Sequence, residues 1–122
     1  MKKNAVDQHK NHSECKAMLL PINDALDILR GKWKIRIITV LYFGKKRFME
    51  LQREIEGITA RMLSKELRDL EMNELVVRTV HNTVPVTVEY ELSEYGESLE
   101  KVIGELKNWG IKHRKRIIGT HK

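Results

Sequence analysis

The sequence predicts a small α+β fold that is mainly α. Three observations carry that prediction. Apolar side chains recur at helical spacing in four stretches before residue 73, two short runs rich in β-branched residues follow at 75–80 and 86–92, and a helical pattern returns after Ser93. At 122 residues, 41% hydrophobic and 33% charged, the chain suits one domain with a modest core and a heavily charged surface.

Taken in order, residues 1–14, MKKNAVDQHKNHSE, hold too little apolar area to offset the entropy of ordering them and are expected to form a mobile tail. From Pro21, INDALDIL sets Ile22, Ala25, Leu26 and Leu29 on one face, with Gly31 as the stop of a short first helix. KWKIRIITVLYF follows, with Trp33, Ile37, Val40 and Leu41 on a stripe that Ile35, Ile38 and Tyr42 widen. That helix should be buried over much of its girth, and Gly44 ends it. After the basic turn Lys45-Lys46-Arg47, FMELQREI repeats Phe48, Leu51 and Ile55, and Gly57 supplies the break.

Thr59 can cap a fourth helix running to about Met72, because its hydroxyl can accept from exposed first-turn N–H groups; Leu63, Leu67 and Leu70 recur along it. LVVRTV and VTVEYEL read as one hairpin around the turn HNTVP. Ser93 caps one last helix with Leu99, Val102, Ile103, Leu106 and Trp109 on a face, continuing through KHRKRII. The connection between the third and fourth helices is only about three residues long and contains glycine, as in a helix-turn-helix, and a hairpin directly after the second of these helices is a wing. The expected organisation is a tail at 1–14, a single winged helix-turn-helix domain with a C-terminal helix at 15–118, and a basic end at 119–122.

Composition narrows the partners. The formal charge of +6 favours an anionic one. Residues 45–74 balance seven Lys and Arg against seven Asp and Glu, so any nucleic-acid reading of the fourth helix must rest on how charge is sorted over its faces. At ~100° per residue the three leucines centre on one direction, and Arg61, Lys65 and Arg68 lie roughly opposite, with Ser64 at their border. Sinking the leucines into the domain would leave those cations on a rod of ~10–12 Å diameter, a match to the ~12 Å DNA major groove. Ala60, Arg61, Ser64 and Lys65, near the helix start, are then the candidates for base edges and Arg68 for phosphate, with Thr59 also counted among the DNA-binding residues. In the wing, Arg78 and His81 flank a tip of Asn82 and Thr83 able to lie along a minor groove, and Lys45, Lys46 and Arg47 suit a phosphate strand. The opposing possibility is that these are ordinary solvated surfaces, with Glu66, Asp69 and Glu71 pairing with Lys65 and Arg68.

Other chemistries find little support. No window approaches the roughly 20 apolar residues of a membrane span, residues 1–14 are too polar for a signal peptide, and a cytoplasmic location is expected. Cys15 is the only cysteine, which excludes an intrachain disulfide. His9, His12 and Cys15 have a metal-like H-x2-H-x2-C spacing, but a mobile tail would have to be ordered around the ion without a clear fourth ligand, so no metal and no cofactor are expected. Nothing resembling an oxyanion hole, a glycine-rich loop or paired carboxylates points to an enzyme. Cys15 itself is open to two readings: a reactive thiol favoured by Lys16 beside it, or a small buried apolar residue.

GKWKIRIITVL, RFMELQREIEGITARMLSKELRDLE, VPVTVEYELSEYG and the closing Trp109-Gly110 together resemble the HxlR-type winged helix-turn-helix regulators of bacteria, relatives of the MarR group, over about residues 15–112. The resemblance implies a homodimeric transcription factor binding double-stranded DNA, with dimer contacts from the first and last helices, here Ile22, Leu26, Leu99, Ile103, Leu106 and Trp109. It also implies that Cys15 occupies an N-terminal position that in some members senses electrophiles or oxidants. Where the family commonly has glycine before the first wing strand this chain reads MNEL, so Asn73 or Glu74 must turn the helix end, and Asn tolerates that geometry best. The terminal helix offers more apolar surface than one small core can easily cover, which burial against a symmetry mate would resolve. A two-fold dimer would space recognition helices one DNA turn apart, ~34 Å, and read an inverted repeat. The competing function is a winged-helix module for protein-protein assembly that reads no DNA.

Overall fold

The computed structural model describes residues 11–119, in two compact units divided after Gly31. The first unit contributes α1 (Asn11–Ile28), exposed on nearly every residue; Ile28 at its end and Leu29 just beyond it are half-buried. The helix starts ten residues before Pro21, so residues 11–14, assigned to the tail, are helical. Lys16, Ala17, Met18, Leu19 and Leu20 are all strong helix formers, and they outweigh the loss of one backbone donor at Pro21.

The second unit runs α2 (Lys34–Tyr42), β1 (Lys46–Arg47), α3 (Phe48–Glu54), α4 (Ala60–Met72), β2 (Val76–His81), β3 (Thr87–Leu92), α5 (Glu94–Glu97) and α6 (Glu100–Gly119). Its antiparallel sheet has the order β1-β3-β2, with Val76 opposite Leu92, Arg78 opposite Tyr90, and Arg47 opposite Glu89. The core joins Trp33, Ile37, Ile38 and Leu41 to Leu51, Ile55 and Ile58, to Leu63, Leu67 and Leu70, and to Leu75, Val76, Tyr90 and Leu92. Each such aliphatic side chain contributes roughly 1.5–3 kcal/mol by leaving water. This is a mainly helical winged helix-turn-helix, as the sequence predicts.

Four details depart from the sequence reading. The turn at Lys45–Arg47 contains β1, a strand too short to show any periodicity. Tyr42 is largely exposed, and its hydroxyl donates to Glu100 Oε2 at 2.6 Å. The last helix is broken into α5 and α6. At the break Ser98 and Leu99 donate their N–H groups three residues back, to Tyr95 and Gly96, while the Ser98 hydroxyl bonds the Tyr95 carbonyl, so Leu99 lies between helices.

Finally, Glu74 and not Asn73 takes the left-handed turn after α4, with φ 62°. Leu75 N–H reaches the Leu70 carbonyl and Glu74 N–H the Glu71 carbonyl, each at 3.0 Å, which is the six-to-one closure of a Schellman ending. That pattern fixes the left-handed residue at position 74, whatever its side chain. Asn73 instead donates its side-chain amide to the Asp69 carbonyl at 3.0 Å.

Candidate nucleic-acid interface

The surface of α4 is set by its inner face. Leu63, Leu67 and Leu70 are all buried, so the opposite side must face outward. Thr59 caps the helix as expected, its hydroxyl accepting from Met62 N–H at 3.1 Å. Thr59 and Ala60 are exposed at the helix start, and Arg61, Ser64, Lys65 and Arg68 line one open depression with Met62. Four side chains scattered over eight residues of sequence thus form one patch.

Of the acidic residues of α4, Glu66 is drawn inward, and Asp69 is shared between the core and the patch. Lys34, at the start of α2, is only 4% exposed, and its ammonium donates to Glu66 Oε1 at 2.5 Å and to Asp69 Oδ2 at 3.2 Å. Burial acts to lower the Lys34 pKa, but its hydrogen bonds to Glu66 and Asp69, with the charges they carry, outweigh it and raise the pKa above the ordinary lysine value. Asp69 Oδ2 also accepts from Lys65 at 3.2 Å. Burial opposes the effect, yet the bonds from Lys65 and Lys34 hold the Asp69 carboxyl below its ordinary value. The sequence reading missed Lys34; the signal was a lysine in register with Ile37, Ile38 and Leu41 on a stripe otherwise apolar. Of the anticipated surface pairs, Lys65–Asp69 is present, while Glu66 turns inward.

The wing is more open. Asn82 and Thr83 are exposed at its tip, where Thr83 Oγ1 donates to the Pro85 carbonyl at 2.7 Å and closes the turn. His81 Nε2 lies 2.8 Å from Glu89 Oε1 on the neighbouring strand, and Lys45 Nζ lies 3.9 Å from the same oxygen. The His81 bond, helped by the charges of His81, Lys45 and Arg47, holds the Glu89 carboxyl below its ordinary value against a small opposing effect of burial. Glu89 therefore gathers two of the proposed cationic contacts. Arg78 is separated from this group: its register puts it on the hairpin face of Val76, Tyr90 and Leu92, and it borders Glu71, Glu74 and Glu94. Arg47 donates its backbone N–H to Glu50 at the start of α3, and Lys46 stands opposite Tyr90.

Elsewhere, Cys15 and His12 are exposed on α1, as are Ile22 and Leu26; His9 lies outside the described residues. Leu99 and Ile103 are half-buried, whereas Leu106 and Trp109 are exposed, and Trp109, 67% accessible, stacks on His113 at 5.1 Å between ring centres. No residue of α6 is buried. No helix of the described residues is long and apolar enough to cross a membrane.

A helix-turn-helix with a basic outer face, followed directly by a wing, defines a winged helix-turn-helix regulator. The HxlR-like helix-turn-helix family matches residues 28–117, and the chain belongs to that family of transcriptional regulators, which are not enzymes. It is 44% identical over 106 residues to the HTH-type transcriptional regulator YtcD of Bacillus subtilis, spanning 87% of this chain and 84% of that one. Among solved structures it resembles the redox regulator HypR in its reduced form, with TM-score 0.76 and 40% identity over 81% of this chain and 98% of that one. It also resembles the reduced form of the transcriptional regulator YodB from B. subtilis, with TM-score 0.67 and 39% identity, covering 73% and 87% of the two chains.

Proposed function

We propose that this regulator is a homodimer that reads an inverted-repeat operator in the bacterial cytoplasm, with α4 in the major groove and residues 78–87 of the wing near the minor groove. The observation that carries the reading is the single patch of Arg61, Ser64, Lys65 and Arg68, projected by a helix whose inner face is fully buried. Thr59 and Ala60 stand at its leading end. Asn82, Thr83, His81 and the Lys45–Arg47 turn supply flanking contacts to the backbone, and Arg78 a weaker one, given its acidic neighbours. Ile22, Leu26, Leu99, Ile103, Leu106 and Trp109 supply the dimer contacts, in keeping with an α6 of which no residue is fully covered by its own chain.

Selection of bound duplexes from a random pool tests this reading, and a palindromic consensus is expected. Affinity should fall by orders of magnitude between about 50 and 200 mM salt. Arg61→Ala should cost on the order of 1–3 kcal/mol and relax preference at one base pair. A protein-protein assembly module would show neither effect.

Cys15 is the proposed switch. It is exposed, and HypR and YodB, which this chain resembles, include a redox regulator and a protein studied after diamide treatment. With no second cysteine in the chain, its modification proceeds through an intersubunit disulfide, an adduct with a small thiol, or direct alkylation by a thiol-reactive effector. Cys15→Ser is expected to bind DNA like the wild type and to ignore diamide and quinones; an unchanged response in that variant rules the switch out.

A further inference from the structure

Trp33 stands at the residue before α2 and is only 8% exposed. The Lys32 ammonium lies 4.8 Å from the centre of its ring and the Arg36 guanidinium carbon 5.5 Å, both at cation-π distance. The far edge of the same ring rests on the turn of the helix-turn-helix: a Cβ added at Gly57 would sit 3.8 Å from Trp33 Cη2. Two residues later Thr59 caps α4. One indole therefore connects a pair of cations to the turn that leads into the recognition helix.

The manner of holding matters. Lys65 is held by Asp69 and Lys45 approaches Glu89, so part of each positive charge is already neutralised. Lys32 and Arg36 are exposed and carry no ion pair among the described residues. An aromatic face restrains a long cationic side chain while leaving its charge available, so less conformational entropy is lost when an anion arrives. Lys34 between them points inward to Glu66 and Asp69, which fixes the start of α2 against α4.

We propose that Lys32 and Arg36, laid over Trp33, form a phosphate clamp that grips the DNA backbone beside the start of α4. The clamp rests on the DNA-reading function above and adds two contacts that carry no sequence information. A phosphate contact contributes to all duplexes alike and to the salt dependence, with a slope of roughly 0.9 per phosphate neutralised.

Full-length protein is titrated with its selected operator and with an unrelated duplex, across about 50–200 mM salt. Lys32→Ala/Arg36→Ala, both at exposed positions, should flatten the log–log salt slope by about 1.8, weaken both duplexes by about 10–100-fold at ~0.1 M salt, and leave the consensus unchanged. Trp33→Phe, which keeps an aromatic ring with a weaker hold on cations, should fall between the two. If Arg61→Ala weakens operator binding while the double variant keeps the wild-type slope, the clamp is wrong and the reading of α4 stands. If the wild type shows no salt-dependent DNA binding, both fall together. If the double variant loses operator preference without a change of slope, the two cations read bases and the clamp is again wrong.

Discussion

In α4 thirteen residues carry three buried leucines, and the outward cations stand on a rod fixed along its length. In the wing, burial is confined to the base, at Val76, Tyr90 and Leu92, and from Val80 to Val86 no residue is buried. The helix is thus held by packing, whereas the wing tip is held by a ladder, a threonine-closed turn and the His81–Glu89 bond. Rigid placement suits base recognition, where a small misplacement loses a hydrogen bond, and a softer arm suits backbone contact, where phosphates lie on every side.

The wing root offers the strongest way to break this contrast. A Cβ at Gly96 would come within 2.2 Å of the Leu75 carbonyl oxygen, which is backbone and cannot swing aside. Gly96→Ala is expected to cost about 4 kcal/mol in urea unfolding. A near-neutral result would mean that the wing is not anchored through this contact. Next comes the support of α4. Lys34→Met strands the Glu66 carboxylate, 12% exposed, while Asp69 keeps Lys65, and should cost about 3 kcal/mol; Lys34→Met/Glu66→Leu should recover much of that loss. Equal destabilisation of the single and double variants would show that packing, not charge pairing, holds this end of α4.

Glu74→Gly works in the opposite direction. It relieves a left-handed residue with a side chain at the junction of helix and wing, and should stabilise by about 0.5–1 kcal/mol as measured by the urea midpoint.

The smallest effect is on pH. Asp69 in α4 and Glu89 in the wing both have lowered pKa values, so each contributes stability that is present above the unfolded carboxylate value, about 4, and is lost as pH falls through the folded value. Asp69→Asn and Glu89→Gln should each flatten the decline of the urea midpoint below about pH 4. Lys34, whose pKa is raised, contributes below the ordinary lysine value, and that contribution is lost only as pH rises through the still higher folded value.

What was legible in the sequence follows from the same contrast. The leucine period of α4 is a repeated signal that the structure reproduces in full, that of β3 one it reproduces from Tyr90 to Leu92, and Thr59 caps α4 at the place its hydroxyl predicts. What escaped depends on single residues or distant partners. β1 has two residues and no period; the α5–α6 break rests on one serine. Lys34 looks like a surface lysine until Glu66 and Asp69 arrive from 32 and 35 residues away. The apolar spacing of INDALDIL marks a helix only from Pro21, whereas the propensity of the residues before it carries the helix back to Asn11. The patch on α4 was readable because one helix makes it. The grouping of His81 and Lys45 around Glu89 was not, because it takes two strands and a separate turn to assemble.

Ser93 donates its backbone N–H to the Leu75 carbonyl at 3.0 Å, and its hydroxyl to the Glu74 carbonyl at 2.6 Å. The excursion of chain from 76 to 92 therefore departs from and returns to a single stapled point. Its outer part can be lengthened, trimmed or exchanged for another loop without disturbing the helices. Relatives could diverge in how they hold the duplex while keeping a common scaffold, and an engineer could graft a new arm at the same place.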